Sequence, residues 1–197
     1  MHSLIIFASG KGSNAAAIIE YFQKTRVAQV SLIVSNRKDA GVIELAKKEQ
    51  IPFVVIDKNS FQSNDFITEL QSHNPALIVL AGFLWKIPDP IIEAFSGKII
   101  NIHPALLPEF GGKGMYGENV HKTVIAAGKK ESGITIHYVD EVYDNGDIIV
   151  QARCKVYEHD AASQLADRIH TLEHYFFPRT IEFLLENINE PAPKDAI

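Results

Sequence analysis

Short continuous runs of apolar residues alternate with segments of helical period along the first half of the chain. The runs predict β-strands at residues 4–8, 30–34, 53–56, 77–81 and 99–102. The strand at 4–8 is expected to be buried on both faces, and the strand at 77–81 is also expected to be buried. The intervening segments predict helices at residues 15–22, 41–50, 65–72 and near 90–95. Strands and helices in alternation form a mostly parallel sheet with helices on both faces, so we expect a Rossmann-like α/β fold.

The alternation stops after residue 103, where a loop rich in Gly and Pro runs to Gly117. This loop is longer than a simple connection, which points to a functional segment. A helix is predicted at residues 118–127, and strands are predicted at residues 133–139 and 147–156. Because only a short turn separates these two strands, we expect them to form an antiparallel pair at the end of the sheet.

The last predicted helix begins near Ala161 and reaches residue 177, where Pro178 predicts a kink or a new start. Its buried stripe is predicted to consist of four apolar residues at helical spacing, Leu165, Ile169, Leu172 and Phe176. We expect residues 1–186 to form a single domain. Residues 187–197 have no apolar period, so we expect a frayed tail there.

Composition restricts the classes of function. The chain has 197 residues, of which 46% are hydrophobic and 22% are charged, as in a globular enzyme. Its net charge of −5 argues against a nucleic-acid partner, and no apolar run in the sequence is long enough for a membrane span. Cys154 lies in an apolar run, so we expect a buried structural thiol. Because Cys154 is the only cysteine, we also expect a reducing compartment and a cytoplasmic location.

Two polar side chains are predicted to lie together where the fifth strand ends. Side chains alternate between the faces of a strand, so Asn101 and His103 point the same way, and Pro104 ends the strand because it has no N–H to donate. In open α/β sheets, ligands bind at the carboxyl ends of the strands. A neutral donor beside a group that titrates near neutrality suits a reaction that builds negative charge on an oxygen.

A glycine-rich turn at residues 9–13 joins the first strand to the first helix. Its backbone N–H groups and the helix N-terminus favour an anion, and Lys11, Ser13 and Asn14 add donors, so we expect a phosphate-binding site. The alternative is a tight turn that Ser13 or Asn14 caps. The glycine spacing also fits a loose dinucleotide fingerprint, which leaves a nicotinamide oxidoreductase open, although residues 35–37 lack the acidic side chain that would hold a ribose.

The segment at residues 144–147 lies between the two late strands and has the Asp, Asn and Gly residues that turns favour. From the local sequence, a plain turn is the favoured interpretation. The functional alternative is that the carboxylate of Asp144 faces the pair of Asn101 and His103. Such a contact would raise the pKa of the ring and favour the imidazolium.

Other histidines and acidic residues permit weaker interpretations. Glu173 lies at the edge of the predicted buried stripe of the last helix. His170 and His174 lie further from this stripe around the helix. These side chains are more typical of a solvated face or of single substrate contacts than of a metal site, and we expect no metal. His121 lies among apolar residues and is expected to pack in the core or to line a cleft.

Four segments and their spacing resemble the formyltetrahydrofolate-dependent formyltransferases. They read Ser-Gly-Lys-Gly-Ser-Asn, Ala-Gly-Phe, Asn-Ile-His-Pro-Ala-Leu-Leu-Pro and Asp-Asn-Gly-Asp-Ile-Ile, at residues 9–14, 81–83, 101–108 and 144–149. The resemblance covers nearly the whole chain and implies that 10-formyltetrahydrofolate is the co-substrate. The glycine-rich start and the chain length are similar to those of the branch that formylates glycinamide ribonucleotide in purine biosynthesis.

The resemblance also implies roles for individual residues. The catalytic residues it implies are Asn101, His103 and Asp144. The ribonucleotide would be bound by Gly12, Ser13, Asn14 and Glu173. The folate would contact Leu84, Trp85, Lys86, Ile87 and Asn101. Two departures stand out, since the loop at residues 110–119 is longer than in many relatives and Asn64 lies near a position where relatives often carry an arginine.

Three alternatives remain at this point, a formyltetrahydrofolate hydrolase-like enzyme, a nicotinamide oxidoreductase and a nucleotide-binding module on the same fold. The hydrolases carry an additional N-terminal regulatory domain. The family members that act on methionyl-tRNA carry an additional C-terminal domain. We expect no room in this chain for either domain. The expected partners are small molecules, and the chain is expected to be a monomer or a homodimer.

Overall fold

A seven-stranded sheet forms the centre of the fold. The structure, a computed structural model, describes residues 1–187. The strands are β1 His2–Phe7, β2 Ala28–Ser35, β3 Phe53–Val55, β4 Leu77–Leu80, β5 Ile99–His103, β6 Glu131–Tyr138 and β7 Ile148–Lys155. Their order is β3-β2-β1-β4-β5-β6-β7, with β1 to β5 parallel and β6 antiparallel to both of its neighbours. The predicted α/β architecture and its antiparallel C-terminal pair are therefore confirmed.

Helices cover both faces of the sheet because the central strands are apolar on both sides. They are α1 Ser13–Thr25, α2 Gly41–Lys48, α3 Asn64–Ser72, α4 Asp89–Ala94, α5 Glu118–Ala126 and α6 Ala162–Glu186, with a short 3-10 helix at Ser60–Gln62. In β1, Leu4 and Ile6 point into an apolar cluster with α1, α2, α5 and α6. Ile5 and Phe7 point into a second cluster with α3 and α4. The side chains of β1 thus contribute to both apolar clusters, one on each face of the sheet.

The register between β5 and β6 determines which polar side chains meet. Asn101 lies opposite His137, and His103 lies opposite Thr135. The Thr135 Oγ1 accepts a hydrogen bond from the Leu107 N–H at 3.0 Å, which holds the chain that follows β5 against the sheet. The end of β5 is therefore fixed from both sides, by its own strand pairing and by a side chain of β6.

The last helix differs from its prediction. α6 runs as one helix through Pro178, so the predicted restart is wrong. Its buried face is displaced by one residue, because Glu173 and Phe177 are buried whereas Leu172 and Phe176 are only half-buried. The helical period does not distinguish between two adjacent aromatic residues, and an acidic residue is not expected inside a core.

Three further expectations concern Cys154, the membrane and the tail. Cys154 is half-buried rather than buried, because its strand β7 lies at the edge of the sheet, and this burial raises the pKa of the thiol. Within residues 1–187, no helix is long and apolar enough to cross a membrane. The predicted frayed tail lies outside the described residues, apart from Asn187.

Replacing Gly133 by alanine is expected to destabilise the pairing of β6 with β7. A Cβ atom there would lie 2.0 Å from the Ala152 carbonyl oxygen, a backbone atom that cannot rotate away. We expect the free energy of unfolding, measured in urea, to fall by about 1–3 kcal/mol. Ser132→Ala is the matched control, because the buried Ser132 Oγ has no hydrogen-bond partner among the described residues. Equal losses in the two variants would contradict this explanation.

Candidate active site

A cavity of about 960 Å³ opens at the carboxyl ends of β1, β4 and β5. It is lined by every residue to which the motifs or the family resemblance give a role, namely Lys11, Gly12, Ser13, Asn14, Leu84, Trp85, Lys86, Ile87, Asn101, His103, Asp144 and Glu173. This size and this position in an open α/β sheet are typical of a small-molecule site. Segments far apart in the sequence therefore contribute to one cavity.

The glycine-rich turn forms one part of the cavity wall. Gly12 has a φ of 81°, in the left-handed region, and a Cβ atom there would lie 2.9 Å from the Val42 Cβ, so only glycine fits. Gly12 is also the N-cap of α1, and none of the described side chains caps that helix. The interpretation in which Ser13 or Asn14 is the cap is therefore wrong. The uncapped N–H groups of α1 favour an anion in the cavity.

Asn14 and Glu173 form a buried polar pair beside this turn. The Asn14 Nδ2 donates a hydrogen bond to the Glu173 Oε2 at 3.0 Å, which links the start of α1 to α6. Burial raises the pKa of the Glu173 carboxyl above its usual 4.5, although the bond from Asn14 lowers it. The Asn14 Oδ1 is buried and has no partner in the described part of the chain. These acceptors suit a ligand that carries hydroxyl or amine donors as well as a negative charge.

The segment that follows β4 gives the cavity an apolar wall. The Leu84 N–H donates to the Ser9 Oγ at 2.9 Å, which joins this segment to the glycine-rich turn. Trp85 packs against Phe61 and Phe83, with ring centroids 5.9 and 6.4 Å apart. Leu84 is exposed on a backbone that these contacts hold in place. Such a wall suits a flat and partly apolar ligand.

Asn101, His103 and Asp144 meet in the cavity. The Asp144 Oδ2 lies 3.5 Å from the His103 Nδ1, and the Asp144 Oδ1 lies 3.5 Å from the Asn101 Nδ2. Asp144 has a φ of 53°, a left-handed turn conformation, so its segment is a turn and its carboxylate also faces the pair. The contact that the local sequence left open is therefore present.

His137 is a fourth polar side chain at this place, and the sequence reasoning missed it. Its Nε2 lies 3.1 Å from the Asn101 Nδ2, and its Nδ1 lies 2.7 Å from the Tyr138 carbonyl oxygen. Because a carbonyl oxygen only accepts, this pattern assigns the proton to Nδ1 and makes Nε2 the acceptor from Asn101. The signal in the sequence is that Thr135 and His137 are polar at alternate positions of an apolar strand.

His103 is neutral near pH 7, contrary to the expectation that Asp144 would keep it charged. Burial lowers the pKa of the ring below its usual 6.5, and this effect outweighs the raising by Asp144 and by the Phe110 carbonyl group. His103 is 3% exposed, a burial that the sequence does not reveal. The His103 Nε2 donates to the Phe110 carbonyl oxygen at 2.8 Å, so Nδ1 carries the lone pair. The ring can therefore accept a proton at Nδ1, beside Asp144.

Asp144 is ionised at neutral pH. Burial by itself raises the pKa of this carboxyl, but His137, His103 and the Gly112 N–H outweigh it and hold the pKa below its usual 3.8. The Gly112 N–H donates to the Asp144 Oδ2 at 2.8 Å. An ionised carboxylate beside a neutral imidazole stabilises the ring once it takes up a proton.

His121 also lines the cavity and is 3% exposed, so the prediction of a packed or cleft-lining ring is confirmed. Burial and the neighbouring His170 lower the pKa of His121 to about 4, so its ring is neutral. The rings of His170 and His174 are stacked, with centroids 6.2 Å apart. Within residues 1–187, no three His, Cys, Asp or Glu side chains are arranged to hold a metal ion.

Comparison with known sequences identifies the family. A sequence model of the formyl transferase family matches residues 2–181. The phosphoribosylglycinamide formyltransferase of Bacillus subtilis (strain 168) is 39% identical over 191 residues, which cover 94% of this chain and 95% of the relative. The chloroplastic phosphoribosylglycinamide formyltransferase of Vigna unguiculata is 40% identical over 189 residues, 93% of this chain. This chain spans 61% of the length of the Vigna relative and 65% of that of the Arabidopsis thaliana relative.

Solved structures have the same fold. Glycinamide ribonucleotide transformylase 1 from Symbiobacterium toebii superposes with a TM-score of 0.86 at 30% identity, over 95% of this chain and 89% of that one. The corresponding protein from Geobacillus kaustophilus gives a TM-score of 0.85 at 36% identity, over 94% of this chain and 99% of that one. The resemblance inferred from the motifs is thereby confirmed, and the chain belongs to the formyl transferase family, alongside phosphoribosylglycinamide formyltransferases of bacteria and plants.

Proposed function

We propose that this chain transfers the formyl group of 10-formyltetrahydrofolate to the amine of glycinamide ribonucleotide in purine biosynthesis. The products are formylglycinamide ribonucleotide and tetrahydrofolate. The observation that carries the proposal is the meeting of Asn101, His103 and Asp144 in a cavity that also contains an anion-favouring turn and an apolar wall. The names of the Bacillus and plant relatives support the same reaction. The proposed compartment is the cytoplasm.

The two substrates divide the cavity between them. The phosphate of the ribonucleotide binds at the turn of Gly12, Ser13 and Asn14, where backbone N–H groups and the N-terminus of α1 favour an anion. Glu173 accepts hydrogen bonds from the same substrate. The folate lies against the wall formed by Leu84, Trp85, Lys86 and Ile87, which is apolar apart from Lys86. The amine and the formyl group then meet beside Asn101, His103 and Asp144.

The reaction requires a proton to leave the amine and a negative charge to develop on oxygen. The amine nitrogen attacks the formyl carbon, a C–N bond forms, and the formyl oxygen becomes an oxyanion. The His103 Nδ1 takes the proton from the amine, directly or through water, and the ionised Asp144 stabilises the resulting imidazolium. The same proton passes to the folate nitrogen as its bond to the formyl carbon breaks. His103 returns to its neutral form.

Asn101 stabilises the oxyanion in this scheme. One of its amide hydrogens is donated to the His137 Nε2, and the other faces the Asp144 Oδ1 at 3.5 Å, at the outer limit of hydrogen bonding. An incoming oxyanion can therefore take the second hydrogen with little loss. A donor of this kind contributes about 2.7–4 kcal/mol to lowering the barrier.

The function is tested by following tetrahydrofolate release from 10-formyltetrahydrofolate, with and without glycinamide ribonucleotide. We expect release only when the ribonucleotide is present, together with formation of formylglycinamide ribonucleotide. Release of tetrahydrofolate and formate without the amine would indicate a hydrolase. Binding of either substrate without any release would indicate a non-enzymatic module and would contradict the proposal.

His103→Ala and Asp144→Ala are each expected to lower kcat by about 10²–10⁴-fold, because each removes part of the proton transfer. The KM for the ribonucleotide should change little, since the phosphate binds elsewhere. In the wild type, the acid limb of kcat/KM should lie below pH 6.5, because His103 must be neutral to accept the proton. Asp147→Ala, an exposed residue of the same turn, is the control and should retain the wild-type rate.

Ser13→Ala combined with Asn14→Ala is expected to raise the KM for glycinamide ribonucleotide about 10-fold or more, because the Ser13 hydroxyl donor and the Asn14 bond that holds Glu173 are lost. The dissociation constant of a folate analogue, measured by calorimetry, should change less than about twofold. A loss of folate affinity in place of ribonucleotide affinity would show that the two substrates have been assigned to the wrong ends of the cavity.

Glu173→Gln is expected to stabilise the protein at pH 7 while it weakens ribonucleotide binding. The pKa of Glu173 in the folded state is raised above 4.5. The contribution of this carboxyl to the free energy of unfolding is therefore favourable below pH 4.5 and is lost as the pH rises through the folded-state pKa. Glutamine removes this loss, which amounts to about 1.4 kcal/mol for each pH unit by which the pKa is raised. Thermal unfolding between pH 4 and 8 measures the effect. Glu20→Gln, at an exposed glutamate, should show no comparable gain.

A further inference from the structure

The loop that follows β5 touches both titrating groups of the site with its main chain. The Phe110 carbonyl oxygen accepts a hydrogen bond from the His103 Nε2 at 2.8 Å. Two residues further on, the Gly112 N–H donates to the Asp144 Oδ2 at 2.8 Å. One short stretch of backbone thus gives an acceptor to the His103 ring and a donor to the Asp144 carboxylate. The His103 Nδ1 and the Asp144 Oδ2 lie 3.5 Å apart.

The conformation of this stretch is unfavourable by itself. Phe110 has a φ of 56°, a left-handed conformation that is costly for a large side chain and persists only where its surroundings impose it. At Gly111, a Cβ atom would lie 2.6 Å from the Leu107 Cδ2 and 3.2 Å from the Asp144 Cβ, so the loop approaches Asp144 closely. Backbone strain of this kind clusters at functional sites.

Contacts outside the cavity hold the stretch in place. The Lys129 Nζ lies 2.7 Å from the Glu109 Oε2 and 5.8 Å from the centroid of the Phe110 ring. Phe110 is half-buried against the apolar cluster that contains α1, α5 and α6. The side chains of Glu109 and Phe110 therefore make contacts outside the cavity, whereas the Phe110 carbonyl and the Gly112 N–H point to the site.

We propose that the backbone of residues 110–112 is a positioning element of this enzyme, which holds the His103 ring and the Asp144 carboxylate in the relative orientation that proton transfer requires. The proposal rests on the proposed function, because it assigns proton transfer to these two groups. Phe110 and Gly112 do not react with substrate and act only through His103 and Asp144.

The electrostatics of the site agree with this assignment. Burial lowers the pKa of His103, whereas Asp144 and the Phe110 carbonyl raise it and His137, facing it from β6, lowers it further. His121, on α5, is the other titratable group whose charge interacts with the ring. Loss of the Phe110 acceptor would therefore lower the pKa of His103 further. Loss of the Gly112 donor would raise the pKa of Asp144.

Two substitutions of Phe110 separate the backbone from the side chain. Both Phe110→Asn and Phe110→Val remove the ring and its contact with Lys129. Asparagine tolerates the left-handed conformation, whereas β-branched valine does not, so only valine displaces the carbonyl group. We expect the kcat of the valine variant to be roughly 10- to 100-fold below that of the asparagine variant, with similar KM values and similar melting temperatures. Equal kcat values in the two variants would overturn the proposal.

Nuclear magnetic resonance of ¹⁵N-labelled histidine gives a readout that does not depend on activity. In the wild type and in Phe110→Asn, we expect His103 to carry its proton on Nε2. In Phe110→Val, we expect the pKa of His103 to fall and the Nε2 hydrogen bond to be lost. Identical His103 spectra and titrations in all three proteins would overturn the proposal. A wild type that releases no tetrahydrofolate would contradict the proposed function instead, and the spectra would still report the geometry.

A backbone change at residue 112 keeps the proposal testable if the valine variant does not fold. Incorporation of glycolic acid in place of Gly112 replaces the amide by an ester and removes only the N–H that Asp144 accepts. We expect roughly a 10-fold lower kcat and a rise in the pKa of Asp144, with an unchanged KM for the ribonucleotide. The same ester at residue 114, in the same loop, is the control. Equal kcat values for the two esters would overturn the proposal.

Discussion

The antiparallel pairing of β6 with β5 places His137 opposite Asn101 and Thr135 opposite His103. Side chains on one face of the two strands thereby meet at the carboxyl end of the sheet, and the turn that follows β6 brings Asp144 to the same place. Because side chains alternate along a strand, a shift of this pairing by one residue would turn apolar side chains toward the site. The whole reacting centre therefore depends on the register of one strand pair.

Burial determines the protonation of the polar side chains in the cavity more than the pairing of charges does. His103 and His121 are each 3% exposed and Glu173 is 6% exposed, and each group is shifted toward its neutral form. Asp144 is the exception, because neighbouring donors stabilise its charge. Buried polar groups of this kind contribute little to stability. The stability of the fold comes instead from the two apolar clusters on either side of β1.

The parts of the site that follow from local alternation were predictable from the sequence. The side-by-side arrangement of Asn101 and His103 needs only the period of a strand, and the glycine-rich turn needs only its composition. The contact of Asp144 with Asn101 and His103 depends on the pairing of distant strands, so local sequence does not predict it. The spacing of the family motifs indicated this contact. Asp144 does raise the pKa of His103, as its contact implied, but burial outweighs this effect, and burial depends on the whole fold. His137 was visible as a polar residue in an apolar strand, but nothing local gave it a role.

The glycine-rich turn and the apolar wall are joined by two hydrogen bonds of Ser9. The Ser9 N–H donates to the Gly82 carbonyl oxygen at 3.1 Å, and the Ser9 Oγ accepts from the Leu84 N–H at 2.9 Å. The separation between the turn and the wall is therefore set by one backbone hydrogen bond and by the Ser9 side chain. In the proposed reaction, a longer or shorter acceptor anchored at the turn would present its amine beyond or short of the formyl carbon. The proposed reaction therefore requires an acceptor of matching length as well as of the right chemistry.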